Sequence, residues 1–424
     1  MTIIKRKLLK DLTDHRAAKE ISLIIGPRQA GKTTLMNLLR ERLNEKGENT
    51  IFLNLDSEMD NQHFLSQQHL INKIKLELGA EKGYVFIDEI QRKENAGIFL
   101  KGIYDLNLGY KFIVSGSGSL ELKEKIHESL VGRKRVFELN TISFEEFVNF
   151  RTNYRYDDRL DSFFELEKEK TAHLLTEYLS FGGYPKVVLE ETSEEKIRII
   201  DEIFQSYIEK DISYLLQLEK IESFKSLINI LASQIGQLVN YSELSSTVGV
   251  ALATVKNYLW YGEKTFVLQR LSPYFTNIRK EITKAPVFYF YDIGLRNYPL
   301  GFFGRQPNQN DLGPLFENFV YNILREIYRF KGVSLHYWRT KDRAEVDFVI
   351  ESGRNLLPIE VKYKEMKKAE IKRSLRNFIA RYKPEKAFVI NLSLEESLTI
   401  GRTKVMIMPF WKLLLEDETL TVFS

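Results

Sequence analysis

Gly26-Pro27-Arg28-Gln29-Ala30-Gly31-Lys32-Thr33 decides how this chain is read. The apolar run Ile21–Ile25 precedes it, and Thr34–Asn44 follows with helical periodicity. The octapeptide fits G-x-x-x-x-G-K-[ST] in full, in the strand–loop–helix context that the pattern requires. Its composition has a physical reason. Phosphate oxygens take several converging backbone N–H groups, and glycines let the chain wrap that closely. The competing reading, an ordinary glycine turn, does not account for the lysine and threonine in register. Candidate nucleotide contacts are therefore Gly26, Pro27, Arg28, Gln29, Ala30, Gly31, Lys32, Thr33 and Thr34. Lys32 is expected to reach the β- and γ-phosphates of ATP, and Thr33 to offer its hydroxyl to Mg2+.

Outward from the loop, short apolar runs at Ile21–Ile25, Ile51–Leu55, Tyr84–Ile87, Phe112–Val114 and Val136–Leu139 alternate with amphipathic stretches. Continuous hydrophobicity predicts strands buried on both faces, hence a parallel sheet covered by helices. The Tyr84 run ends in Asp88-Glu89. Two acids after four apolar residues are commonplace alone. Downstream of a complete phosphate loop, they suit a Mg2+ ligand (Asp88) and a base for the attacking water (Glu89). Ser115-Gly116-Ser117 ends the next run; Ser117 is a candidate γ-phosphate sensor, against a plain β-turn. Arg133 is a candidate finger onto a phosphate, from this chain or a neighbouring subunit, against a solvated arginine beside Lys134 and Arg135.

Composition sets the outer limits. A chain of 424 residues exceeds a single growing core, so two to four domains are expected. Hydrophobic content of 43% and charged content of 28% are those of an ordinary globular protein, and the net charge of +4 makes no general case for nucleic acid. Without cysteine there are no disulfides, thiol nucleophiles or thiolate metal sites, which fits a reducing cytoplasm. The basic amino terminus is broken by charge before any apolar core of a signal peptide forms, and no run is long enough for a membrane span. A cytoplasmic protein without membrane association is expected.

Further along, Leu231–Ile235 ends one helix, Ser242 caps a short second one (Glu243–Thr247), Val248-Gly249-Val250 makes a turn, and Ala251–Thr265 forms a longer third helix. That is helix-turn-helix order. Thr254, Lys256, Asn257 and Tyr261 would reach a DNA groove, while Val255, Tyr258 and Leu259 pack inward. With only Lys256 and Lys264 on that helix, a protein-contact module is an equal reading. A turn-rich linker spans 301–314. Beyond it, Asp347 and the Glu360-Val361-Lys362 run lie on two strands of a hairpin, with Glu360 and Lys362 on one face by the two-residue repeat. Two carboxylates that hold Mg2+ and a lysine that steadies developing charge suit phosphodiester hydrolysis. The same pattern also describes any half-exposed strand.

The strings GPRQAGKTT, FIDEIQ, Ser115-Gly116-Ser117, Val131-Gly132-Arg133, Ile142-Ser-Phe-Glu-Glu-Phe147, Phe181-Gly-Gly-Tyr-Pro185 and Tyr289-Phe-Tyr-Asp292-Ile-Gly-Leu295 resemble a widespread prokaryotic group of AAA+ ATPases that carry a carboxy-terminal domain of unknown function. The tail itself resembles the PD-(D/E)xK nuclease superfamily, with Glu317 in the place of the additional acid from its first helix. The segment after Ser117 departs from the group and leaves the sensor open. The resemblance implies an α/β fold class: a P-loop NTPase parallel sheet (1–142), a helical lid (143–218), a winged helix (219–300) and a restriction-endonuclease-like domain (311–424). The implied catalytic set is Lys32, Glu89, Arg133 and Lys362, and the metal ligands Thr33, Asp88, Glu317, Asp347 and Glu360. ATP and Mg2+ are the expected cofactors, and DNA, a protein and further subunits the candidate partners. The alternative is a nucleotide-controlled switch with a catalytically inactive tail.

Overall fold

The computed structural model describes residues 3–79, 82–117, 129–207, 221–275, 285–303, 309–340, 342 and 344–415. The chain sorts into two compact units, each discontinuous in sequence. One comprises residues 1–150, 183–219 and 260–267, and the other 151–182, 220–259 and 268–424.

The five apolar runs of the first third become five strands: β1 (Ile21–Gly26), β2 (Thr50–Asn54), β3 (Gly83–Asp88), β4 (Tyr110–Ser117) and β5 (Lys134–Glu138). They form a wholly parallel sheet in the order β2-β3-β4-β1-β5. Every residue of β1 is buried, as a central strand covered on both faces requires. The helix Lys32–Asn44 carries the chain from β1 to β2 and lays Leu35, Met36 and Leu39 against Ile24, Phe86 and Ile113 in one core. Fully burying a side chain of that size contributes about 2 kcal/mol. This order has a functional consequence. Because β4 lies between β1 and β3, its carboxyl end stands between the phosphate loop and Asp88.

At the opposite, amino end of this sheet, His15 is buried against Phe137. Its Nδ1 lies 2.8 Å from Ser22 Oγ and 3.2 Å from the buried Lys111 ammonium, which also donates to the carbonyls of Ala18 (2.9 Å) and Glu20.

In the second unit the helices Ile221–Ser233, Tyr241–Val248 and Leu252–Lys264 follow one another in helix-turn-helix order, the last running on into the other unit. The short helix is capped not by Ser242 but by Asn240, whose Oδ1 accepts from the amides of Ser242 (3.0 Å) and Glu243 (3.4 Å). Asn and Ser cap equally well, so sequence alone did not choose between neighbours two residues apart. Val255, Tyr258 and Leu259 are buried, while Lys256 and Asn257 are exposed. The strands that follow, β6 (Leu268–Pro273) and β7 (Val287–Phe290), do not stand alone as a wing. They join a mixed eight-stranded sheet, β12-β13-β11-β10-β9-β8-β6-β7, through the pairs Ser272↔His336 and Pro273↔Tyr337. Its other members are β8 (Ser334–Arg339), β9 (Glu345–Ser352), β10 (Asn355–Val361), β11 (Lys386–Asn391), β12 (Glu396–Ile400) and β13 (Thr403–Pro409). The helix Gln309–Tyr328 packs on this sheet, and its buried Asn318 accepts from the amide of Phe290 and donates to the carbonyl, each at 2.8 Å.

Burial, reinforced by the charges of Lys111 and Arg135, holds the His15 pKa down to about 4. The folded state therefore resists a proton that the unfolded chain accepts near pH 6.5, so stability falls as pH drops from 6.5 towards 4. Between pH 7 and 5 the parent should lose about 2 kcal/mol through this residue, whereas His15→Gln removes that part of the pH dependence; urea unfolding at both pH values measures the difference.

Candidate functional site

β1 delivers Gly26 to the mouth of the loop. A side chain there is impossible without movement, because a Cβ would lie 2.1 Å from the Leu139 carbonyl oxygen. That contact closes β1 on the chain leaving β5, where the Leu139 amide donates to Ile25 at 2.8 Å. The loop then turns through positive φ at Gln29 (59°) and Gly31 (93°). Gly31 is the N-cap of the helix Lys32–Asn44, and no side chain caps its first turn. The amides of that turn and the positive end of the helix dipole are thus available to an anion. The buried Lys32 ammonium donates to the loop's own carbonyls, Gly26 (3.1 Å) and Pro27 (2.8 Å), while Thr33 and Thr34 are exposed.

The acids meet this loop directly. Asp88 ends β3 with 1% of its surface exposed and accepts from Thr33 Oγ1 at 2.6 Å. It also receives the hydroxyl of the fully buried Ser115 and the Glu89 amide at 3.2 Å. Thr33 and Asp88 are one hydrogen bond apart, so a hydroxyl and a carboxylate are already paired where a divalent ion would be shared. Glu89 adopts a left-handed backbone (φ 56°), and its carboxylate takes a hydrogen bond from the Gln91 side chain. A non-glycine residue held there costs energy that the surroundings must supply, a pattern concentrated at functional positions.

Two expectations need adjustment. Ser117 pairs with Gly26 at the end of β4, but its side chain lies outside the described residues. Ser115, two residues earlier, is the hydroxyl that touches Asp88. Arg133 does not reach the loop within its own chain. Its carbonyl accepts from the Ile21 amide at the amino end of β1, roughly 17 Å of strand from Gly26. Its guanidinium holds Asp105, with Nε–Oδ1 at 2.7 Å and a second contact at 3.3 Å. Reasoning from sequence missed Arg6, whose side chain bonds the loop. It read as one cation of a basic amino terminus.

In the second unit the hairpin β9–β10 pairs Ile359 with Phe348, which brings Asp347 opposite Glu360 one step further. Asp347 Oδ2 accepts from the Val361 amide at 2.6 Å. Glu317, on the helix Gln309–Tyr328, takes the Tyr289 hydroxyl. Burial, then the charge of Asp347, pushes the Glu317 pKa well above the usual carboxyl range, and burial also raises that of Asp347. Among the described residues no group of three or more His, Cys, Asp or Glu side chains is arranged to hold a metal ion. Glu360 is 1% exposed, and neither of its oxygens accepts a hydrogen bond in good geometry. Two ammonium groups face it instead: Lys372 at 3.1 Å and Lys362 at 3.7 Å. Lys362 also donates to the Glu370 carbonyl at 2.5 Å. Burial alone would lower the Lys372 pKa, but Asp347 and Glu360 outweigh it and raise it. Lys372 sits in a charge-rich run, Lys364–Arg373, which the D…ExK spacing does not include.

Residues 18–148 match the family model described as an AAA domain. Residues 172–306 and 312–413 match two domains of unknown function, DUF8612 and DUF4143. The first match, on the segment that holds the loop and the acids, supports an ATPase of the AAA type and suggests nucleotide binding and hydrolysis. An uncharacterized protein of Methanocaldococcus jannaschii is 26% identical over 418 residues, covering 95% of this chain and 90% of its own. Uncharacterized proteins of Haemophilus influenzae (27% identical; 85% and 87% covered) and Mycobacterium tuberculosis (28%; 86% and 74%) are similar over most of their length. Among solved structures, the replication initiator DnaA bound to AMPPCP and single-stranded DNA aligns with 62% of this chain and 92% of its own at 15% identity. Its TM-score of 0.31 is too low for that likeness to carry an argument. Among the described residues no helix is long and apolar enough to cross a membrane.

Gly26→Ala tests the tightest of these contacts. Parting β1 from Leu139 should cost about 3 kcal/mol and weaken nucleotide binding with it. Thermal unfolding and ATP titration of the variant check both; a parent-like melting temperature and affinity would refute the close approach.

Proposed function

We propose that this chain binds Mg-ATP at residues 26–33 and hydrolyses it. The observation that carries the reading is the Thr33–Asp88 hydrogen bond at 2.6 Å, which joins the loop to the acids across three parallel strands. Mg2+ bound between these two residues would neutralise phosphate charge. Lys32 exchanges the loop's carbonyls for phosphate oxygens, and the loop amides with the helix end hold the remainder. Glu89, released from Gln91, orients and deprotonates the attacking water. Ser115 keeps Asp88 in place. A role for Arg133 requires a neighbouring subunit, because its own loop is out of reach.

Nucleotide turnover would then gate contacts between the second unit and DNA. The three-helix segment offers Lys256 and Asn257 as exposed polar reach, and Asp347 with Glu360 the pair of carboxylates that suits a divalent ion. A divalent ion would share the buried Glu360 carboxylate with the ammonium groups that now face it, since a buried carboxylate needs positive charge beside it. The second reading, a nucleotide-controlled switch with an inactive tail in a cytoplasmic setting, draws on the same place. Lys372 and Lys362 already supply positive charge to Glu360.

Lys32→Ala should abolish tight ATP binding with the fold intact. Glu89→Gln should bind ATP and turn it over at least about 100-fold more slowly, as calorimetry and phosphate release would show. Turnover unchanged in both would end the ATPase reading. For the tail, nucleotide-free full-length chain titrated with Mn2+ should lose one class of bound ion in Asp347→Ala while keeping its ATP hydrolysis. A plasmid-nicking assay on the parent and on Lys362→Ala separates a nuclease from a switch: Mn2+ binding without nicks favours the switch.

A further inference from the structure

The helix Phe144–Arg151 opens with Ser143-Phe-Glu-Glu146, a reciprocal cap in which the Glu146 amide meets Ser143 Oγ at 3.3 Å and the Ser143 amide meets Glu146 Oε2 at 3.0 Å. Such boxes are ordinarily solvent-exposed. Here the carboxylate is buried, with Glu146 7% exposed, and takes on two further bonds from the amino terminus. The Lys7 amide reaches Oε1 at 2.8 Å, and Arg6 Nε reaches Oε2 at 3.1 Å. The rest of the Arg6 fork points elsewhere. One terminal nitrogen donates to the Ala30 carbonyl at 3.0 Å, and the other to the carbonyls of Asn140 (2.7 Å) and Thr141 (3.3 Å). With its side chain 9% exposed, this guanidinium is built into the site.

Ala30 is the middle of the phosphate loop, and its carbonyl belongs to the peptide whose N–H is that of Gly31. A trans peptide is planar, and its C=O and N–H point in opposite directions. Fixing the Ala30 carbonyl outward on Arg6 therefore fixes the Gly31 N–H inward, towards the hollow that a phosphate would fill. The charge on the guanidinium also polarises that peptide and makes its N–H a stronger donor. Left to itself, this peptide is free to flip, because Gly31 tolerates either sign of φ.

We propose that Arg6 is a positioning residue for the nucleotide site, pinning the Ala30–Gly31 peptide in its phosphate-binding orientation against the Ser143–Glu146 cap. The inference rests on the ATP reading above. Arginine is required by geometry: its planar fork serves Glu146, Ala30 and Asn140 at once, whereas a lysine can satisfy the carboxylate but cannot span all three.

The test uses the full-length chain with Mg2+ and a non-hydrolysable ATP analogue, comparing the parent, Arg6→Lys and Glu146→Gln. Arg6→Lys should melt within a few degrees of the parent, since an ammonium still pairs with Glu146. It should bind the analogue about ten- to hundred-fold more weakly, the range of one charged hydrogen bond. KM for ATP should rise in the same ratio while kcat changes less, and hydrogen exchange should quicken at amides 29–33 and not in β1 or β4. Parent-like affinity in Arg6→Lys overturns the proposal, as does exchange that quickens throughout the sheet. If Arg6→Lys does not fold, Glu146→Gln decides. It keeps an acceptor for the cap but loses the ion pair, and an affinity loss of at least about threefold is expected, with none refuting the role. A parent that binds no nucleotide would fail the ATP reading itself, a result distinct from a parent and a variant that bind equally.

Discussion

Parallel pairing of β3, β4 and β1 is the constraint on which the nucleotide half depends. Three strands that run the same way end at the same edge, so residues 62 positions apart in sequence, Gly26 and Asp88, finish side by side with β4 between them. Side chains do the remaining alignment, through Thr33 and Ser115 on the two oxygens of Asp88. None of this would hold if β1 and β5 could drift. The pair is kept in register by a glycine over which the Leu139 carbonyl lies too close for any methyl group. At the other end of the strand, Lys111 and His15 tie the preceding turn to the sheet.

What the sequence disclosed followed periodicity and local motif. Runs such as Ile21–Ile25 and Tyr84–Ile87 are continuous in hydrophobicity, and only a doubly covered sheet explains that. Gly26–Thr33 is a local object, in which eight adjacent residues make one site. Strand order was not legible, because it depends on which strands meet in space. Without it, Ser115 and Ser117 were interchangeable, and Arg133 looked available to the loop although it sits at the far end of β5. Arg6 was hidden for a related reason. Its partners, Ala30, Asn140 and Glu146, are 24 to 140 residues away, and nothing in MTIIKRKLLK distinguishes it from the lysines beside it.

The tail shows the same limit in another form. The two-residue repeat was enough to set Asp347 opposite Glu360 and Lys362 near it. The second ammonium, Lys372, came from the start of the helix Arg373–Tyr382, outside the hairpin, and it is nearer than the lysine of the motif. Buried acids attract whatever cation the fold can bring, and here a lysine ten residues on faces the same oxygen as the lysine of the motif. The carboxylate pair and its resident ammonium are thus one electrostatic unit.

The sheet that holds those acids begins earlier than the domain whose sequence suggests it. β6 and β7 supply its last two strands, and Phe290 and Tyr289 on β7 satisfy Asn318 and Glu317 on the long helix. A gene truncated to start at Asp311 would code for a protein with the flank of β8 stripped of its neighbour and the side chains of Asn318 and Glu317 stripped of their partners on β7. Bare strand edges recruit one another. Such a fragment would be recovered as inclusion bodies or as intermolecular ribbons, and silence in its assays would report on folding rather than on chemistry.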